Sequence, residues 1–285
     1  GGREDLLMNA QSGMSICRQP AKPDKTGSRG WSPNRLISTM WCDVRLQFRN
    51  GFYYATAFVT VAYALAISQL RGTIASDMAA LLPVFVLDSM VVGTFYFVAG
   101  LVLLEKGDGT LEALVVSPLK PWEYLASKVI TLASLSIAQY LVVVILFAGL
   151  NLGTLAVILG VALAAAIYIL IGFISVIRYT SISDYLVPSI PYTGFLLLPL
   201  ATYVLGLGQG TTIFEYLILL HPLEAPLKLL QAAFMPVDAW QIAYGLLYSG
   251  FWIFLLGRLS LRSFARYVVE KAGTGSTGNS GSMDN

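Results

Sequence analysis

"VITLASLSIAQYLVVVILFAGLNLGTLAVILGVALAAAIYILIGFISVI", residues 129–177, holds no charge between Lys128 and Arg178. As one α-helix rising 1.5 Å per residue it would extend roughly 74 Å, more than twice the hydrocarbon core of a bilayer, so the run has to fold back on itself. The turn falls at "GLNLG", Gly149 to Gly153, where glycine and asparagine break the helix. That predicts two spans, about 129–149 and 154–177. Four further apolar runs have the length of about 20 residues that a crossing helix needs. They are Phe52–Leu70, about 78–104 with Asp88 as its one internal charge, about 185–205, and about 239–258. The expected fold is an all-α integral membrane protein with six transmembrane helices.

Composition agrees: 56% of the 285 residues are hydrophobic and only 12% are charged, against roughly 25% charged in a soluble domain. The net charge of +2, with no lysine and arginine cluster interleaved with aromatics, excludes nucleic acid as a partner. Cys17 and Cys42 precede the first span and lack a CxxC partner or a histidine at ligand spacing, so they read as reduced thiols and not as a metal site. Residues 1–34, including "RQPAKPDKTGSRGWSP", and the tail 271–285 have the composition of disordered arms. They flank a transmembrane domain over 35–270. The first fifty residues contain no apolar core of signal-peptide length, so the first span should direct insertion. Met8, Met14 and Met40 are candidate initiators for a chain that opens Gly-Gly.

Lysine and arginine set orientation, because short cytoplasmic segments retain them. With the N-terminus inside, the cytoplasmic side holds Arg35, Arg45, Arg49, Lys106, Lys120, Lys128, Arg178, Arg258, Arg262, Arg266 and Lys271, and only Arg71 and Lys228 fall outside. Both termini are therefore expected in the cytoplasm of a multi-pass plasma (inner) membrane protein.

In this topology "EKGDGTLEALVVSPLKPWEYLASK", residues 105–128, is the largest cytoplasmic loop between spans. Glycines around Asp108 break the second span, Thr110 is placed to cap a new helix, and "SPLKP" stops that helix because each proline disfavours helix in the residue ahead of it. Leu111, Leu114 and Val115 share one helical face, with Glu112 pointing elsewhere. Such a short amphipathic helix either pads the headgroup layer or presents an apolar ridge and carboxylates to a soluble partner.

Glu105, Gly109-Thr110-Leu111-Glu112, Leu114, Ser117-Pro118 and Lys128 resemble the signature of ABC-2 type transporter permeases, the membrane subunits of ABC exporters. The resemblance covers about residues 35–270, including a cytoplasmic lead-in and a long segment between spans five and six. It implies that Glu105, Gly109, Thr110, Leu111, Glu112, Leu114, Ser117 and Pro118 form a coupling helix that docks on an ATPase. Overall similarity, without a diagnostic motif, points to the drug-export branch and in particular to fluoroquinolone exporter permeases. The chain contains no Gly-Lys pair, so it lacks the P-loop that cradles phosphates. No cofactor is then bound directly: ATP belongs to a separate ATPase subunit, expected in two copies. Six spans make half a pathway, which implies a homodimer or a heterodimer with a second permease.

Residues 206–238 are strongly apolar, yet their pieces on either side of His221-Pro222 are too short to span. They read as two re-entrant outer helices, allowed only where protein covers the broken backbone. Asp88 lies about ten residues into its span, roughly 15 Å deep, where a carboxylate costs about 2.5–3.5 kcal/mol. It is a pathway candidate that suits cationic or zwitterionic cargo, or a structural acid bonded to hydroxyls such as Ser89. Arg45 and Arg49, spaced i, i+4 beside Trp41 and Phe48, suggest an interfacial helix or a positive flank that only sets topology. With one histidine and no H-E-x-x-H, no catalytic or metal site is visible. The rival readings are an ion-coupled secondary transporter using Asp88, and ABC export of lipid or polysaccharide.

Overall fold

The computed structural model describes residues 33–70, 78–111, 119–148, 153–204 and 218–269, and among these every regular element is helical. Residues 1–32, 71–77, 112–118, 149–152, 205–217 and 270–285 lie outside the described residues, and with them the expected turn at Gly149 to Gly153 in part and most of the expected coupling helix.

Helix α1, Pro33–Arg49, leads into α2, Phe52–Leu70. Between them Gly51 has φ 79°, a left-handed conformation that glycine adopts without strain. The predicted second span is α3, Met78–Met90, a π-helical segment Val91–Tyr96, and α4, Phe97–Gly107. The uncharged run divides into α5, Pro121–Ala148, and α6, Gly153–Val176. Helix α5 thus starts earlier than expected, with a proline at its first position, where the missing N–H has no partner to lose. Its end is closed by Glu123, whose side chain accepts from the Lys120 backbone N–H at 3.0 Å.

The predicted fifth span is divided: α7, Ile182–Leu196, is followed by α8, Leu198–Val204. The break at Leu197 precedes Pro199, and Pro188 and Pro191 lie inside α7, so proline has removed a backbone donor at three places in this run. Helix α9, Glu224–Gln231, precedes α10, Ala239–Phe264, which continues as a π-helical turn, Ala265–Val269. Among the described residues, five helices are long and apolar enough to cross a membrane: Phe52–Gln69, Leu81–Gly107, Pro121–Leu146, Gly153–Val176 and Ala239–Tyr267.

Helix α6 is the centre of the bundle. Val161, Ala164, Ala165, Ile167, Tyr168, Ile169 and Phe173 on it are fully buried. Lipid gives no hydrophobic reward for pairing helices, so close approach has to come from small side chains. A Cβ on Gly172 would lie 2.6 Å from Val98 Cγ1 and 2.9 Å from the Phe95 carbonyl, and one on Gly160 would lie 2.9 Å from Leu230. On α10 a Gly245 Cβ would lie 2.7 Å from Leu229 Cγ. Gly160 and Gly245 therefore seat α9 between α6 and α10. Ala225, Leu229 and Leu230 of that short helix are buried, as is Leu223 ahead of it.

His221 makes the turn before α9: Nδ1 accepts from the Leu223 N–H at 3.2 Å, which leaves Nε2 to donate to the Phe195 carbonyl at 3.0 Å. Burial lowers its pKa to about 4, so the ring stays neutral. Cys42 on α1 is disulfide-bonded, which corrects the expectation of a reduced thiol there; the other cysteine, Cys17, lies outside the described residues.

Gly172→Ala should destabilise the protein by about 1–3 kcal/mol through overpacking. Gly257→Ala, at a site where an added Cβ meets nothing within 4 Å, should leave stability unchanged. Thermal unfolding midpoints of the two variants in one detergent check the contrast.

Candidate coupling site

The site lies where α4 ends and α5 begins. Helix α4 closes with the Asp108 N–H on the Leu104 carbonyl at 2.9 Å and the Gly109 N–H on the Lys106 carbonyl at 3.1 Å. Gly109, at φ 67°, then turns the chain out of the helix. The Thr110 hydroxyl donates back to the Glu105 carbonyl at 2.9 Å, and Leu111 is buried. Glu112, Leu114, Ser117 and Pro118 are outside the described residues.

Lys128 lies two turns inside α5 and is fully buried. Its ammonium is paired with both Asp43 of α1 and Glu105 of α4. Hydroxyls complete the carboxylates: Ser127 donates to Asp43, and Tyr124 donates to Glu105 at 2.5 Å. The Tyr124 ring also lies 5.1 Å from the ammonium. Glu105 is therefore turned inward, holding helices together.

Three further contacts extend the cluster. Lys106 donates to the Ile177 carbonyl and, at 2.7 Å, to the Tyr179 carbonyl. These carbonyls lie in the turn just after α6, where a lysine also favours the negative end of the helix dipole, so α4 is tied to the end of α6. The rings of Tyr124, Phe173 and Phe264 pack with centroids 5.7–6.4 Å apart, Phe173 stacked on Phe264 and Tyr124 tilted against both, joining α5, α6 and α10. On the surface Arg49 reaches Asp108 at 4.0 Å with both side chains about half exposed, a contact worth little energy by itself.

Helix α1 is two-faced. Asp43 and Gln47 are buried, with the Gln47 amide donating to Thr131 Oγ1 of α5 at 3.1 Å, whereas Ile37, Trp41 and Phe48 are exposed together on another face. Arg45 is exposed and lies 5.6 Å from the Trp41 ring. Exposed apolar and basic groups side by side suit a helix lying in a headgroup layer.

Of the residues expected in the coupling element, the structure brings Glu105, Gly109, Thr110 and Leu111 to one place, with Arg49 beside them. Asp43, Tyr124 and Ser127 were not foreseen. The available signal was the Asp43 and Gln47 pair at i, i+4, a polar face on a helix otherwise judged by its arginines. Asp88 belongs elsewhere: on α3 it accepts from the Tyr63 hydroxyl of α2 at 3.1 Å. Ser89, the expected partner, instead lies 2.8 Å from the Tyr140 hydroxyl and donates to the Val86 carbonyl at 2.9 Å.

A sequence model of the Fluoroquinolones export permease protein family matches residues 34–272. Two relatives named fluoroquinolones export permease proteins, from Mycobacterium tuberculosis strains CDC 1551 / Oshkosh and ATCC 25618 / H37Rv, are each 31% identical over 244 residues. The alignments cover 84% of this chain and 98% of each relative. The matched region runs from α1 to just beyond the π-helical turn that follows α10.

Breaking a buried ion cluster on one side costs about 3–5 kcal/mol, more than replacing it whole. Lys128→Met alone should therefore reduce the yield of folded protein sharply. The triple variant Lys128→Met, Glu105→Gln, Asp43→Asn should recover most of it. Monodisperse yield on size exclusion reads both.

Proposed function

Since the chain belongs to the fluoroquinolones export permease protein family, we propose that it is the membrane subunit of an ATP-driven exporter that moves fluoroquinolones or similar amphipathic drugs out of the cell. Energy comes from a separate ATPase, because the sequence contains no Gly-Lys pair with which to build a P-loop. The working assembly pairs this chain with a second permease, identical or related, and with two ATPase subunits.

The coupling reading rests on one observation: both ends of the 105–128 loop are anchored in the same buried ion cluster, through Glu105 and Lys128. A partner pushing on Glu112, Leu114, Ser117 and Pro118 acts on a loop whose base cannot slide without separating charges. Displacement then passes to α1 through Asp43 and to α6 through Lys106, where the bundle is most tightly packed.

In this reading α7 and α8 together supply the sixth crossing, and the buried segment around α9 is re-entrant and closes the outer side. The termini are cytoplasmic in a plasma-membrane protein, as the lysine and arginine distribution favours. The bond at Cys42 runs against that orientation, since disulfides are rare on a reducing side.

The test is affinity capture from native-host membranes, comparing wild type with Glu112→Lys, followed by ATP hydrolysis in the eluate. A P-loop ATPase should accompany the wild type and be reduced at least tenfold in the variant. Capture of the same ATPase by both sinks the docking role of the loop, and hydrolysis-free wild-type eluates sink the ATP-driven assignment.

A further inference from the structure

From Leu81 to Leu103 the second span is buried except at Phe85, Asp88, Val92, Tyr96 and Gly100. Their spacing of three or four places them on one face, and Val92 is 43% exposed. Two helices reach this stripe. Tyr63 of α2 bonds Asp88, and Ser189 and Thr193 of α7 lie 3.3 and 2.8 Å from the Tyr96 hydroxyl. Behind the stripe the polar groups are satisfied among themselves: Tyr140 with Ser89, Tyr168 with the Leu87 carbonyl at 2.9 Å, and Thr94 with Ser136 at 3.0 Å.

Asp88 differs from all of these. It is the one charged residue between Leu81 and Leu103, and α2 and α6 contain no charge at all. Among the described residues it has no ion-pair partner, and only Oδ2 has a donor, the Tyr63 hydroxyl. The chain thus holds a reachable carboxylate at mid-membrane depth and supplies no cation there. Acids so placed face a cavity or a functional partner. Phe85, Tyr63 and Tyr96 put aromatic rings along the same stripe, and ring faces attract a desolvated ammonium.

We infer that Asp88, oriented by Tyr63, is the site that receives the protonated amine of an aromatic, cationic or zwitterionic cargo. This rests on the export reading above and adds to it the chemical group that is recognised. The carboxylate supplies the charge, Tyr63 occupies one oxygen and leaves the other without a donor among the described residues, and the rings hold the flat part of the molecule.

The test measures binding to purified full chain in nanodiscs, using the intrinsic fluorescence of a fluoroquinolone bearing a basic secondary amine and of its N-acetylated analogue, which carries no cation. Wild type should bind the amine at least tenfold more tightly than the analogue. Asp88→Asn should lose that preference while its affinity for the analogue stays within twofold, and Asp88→Glu should retain most of it. Equal affinity of wild type for the two probes, no binding of the amine, or equal loss of both in Asp88→Asn overturns the inference. ATP-dependent uptake of the amine drug into inside-out vesicles of the native host is measured alongside. Its absence with the binding preference intact overturns the export reading and leaves this one standing.

Discussion

The ammonium of Lys128 is buried in a membrane protein, and it can remain charged there because Asp43 and Glu105 meet it from two other helices. Taking such ions out of water costs several kcal/mol each, and replacing a buried cluster with apolar packing is often neutral or better. Stability is thus a poor reason for having one. Register is a better reason: apolar side chains tolerate a slide of one helix along another, whereas an ammonium held by two carboxylates, each completed by a hydroxyl, fits in one arrangement. Helix α1, the end of the second span and the start of the third are therefore held as one block.

The rest of the bundle is assembled by a different means. Gly160, Gly172 and Gly245 let helices approach until an added Cβ would collide. Through two of these contacts the outer segment is covered rather than left in lipid. The molecule is thus charged and directional at the end that holds Lys128, small-residue packed through the middle, and carries α9 with its histidine turn seated between α6 and α10. Glu224 in that outer segment is buried, and burial raises its pKa against the opposing pull of Lys228 one turn away.

Elements governed by local chemistry were readable in the sequence. The run 129–177 had to fold back, and α5 and α6 do end and begin around its glycines. Gly109 ends the second span. What could not be read depends on partners far away in the chain: Asp43 and Lys128 are 85 residues apart, and Tyr63 and Asp88 are 25 apart. Lys128 reads as a boundary because charge usually marks the membrane edge, and nothing local in the sequence shows that its ammonium is buried against Asp43 and Glu105. Pro188, Pro191 and Pro199 lie in the fifth apolar run, and whether proline bends or divides a helix depends on neighbouring contacts that the sequence does not display. Glu105 enters the coupling element through the family resemblance alone, and its pairing with Lys128 and Tyr124 is not visible in the sequence.

The π-helical segment Val91–Tyr96 separates Asp88 from Glu105 within a single crossing. A π turn acts as one extra residue accommodated in an α-helix, and one residue is worth about 100° of rotation about the axis. The span is therefore a shaft in two pieces with an angular offset set at its middle. Removing a single residue there would leave both ends helical and the ion cluster seated, yet would swing the outer half about a quarter turn. Asp88 would then face a different neighbour than Tyr63, while Glu105 at the other end of the span kept Lys128.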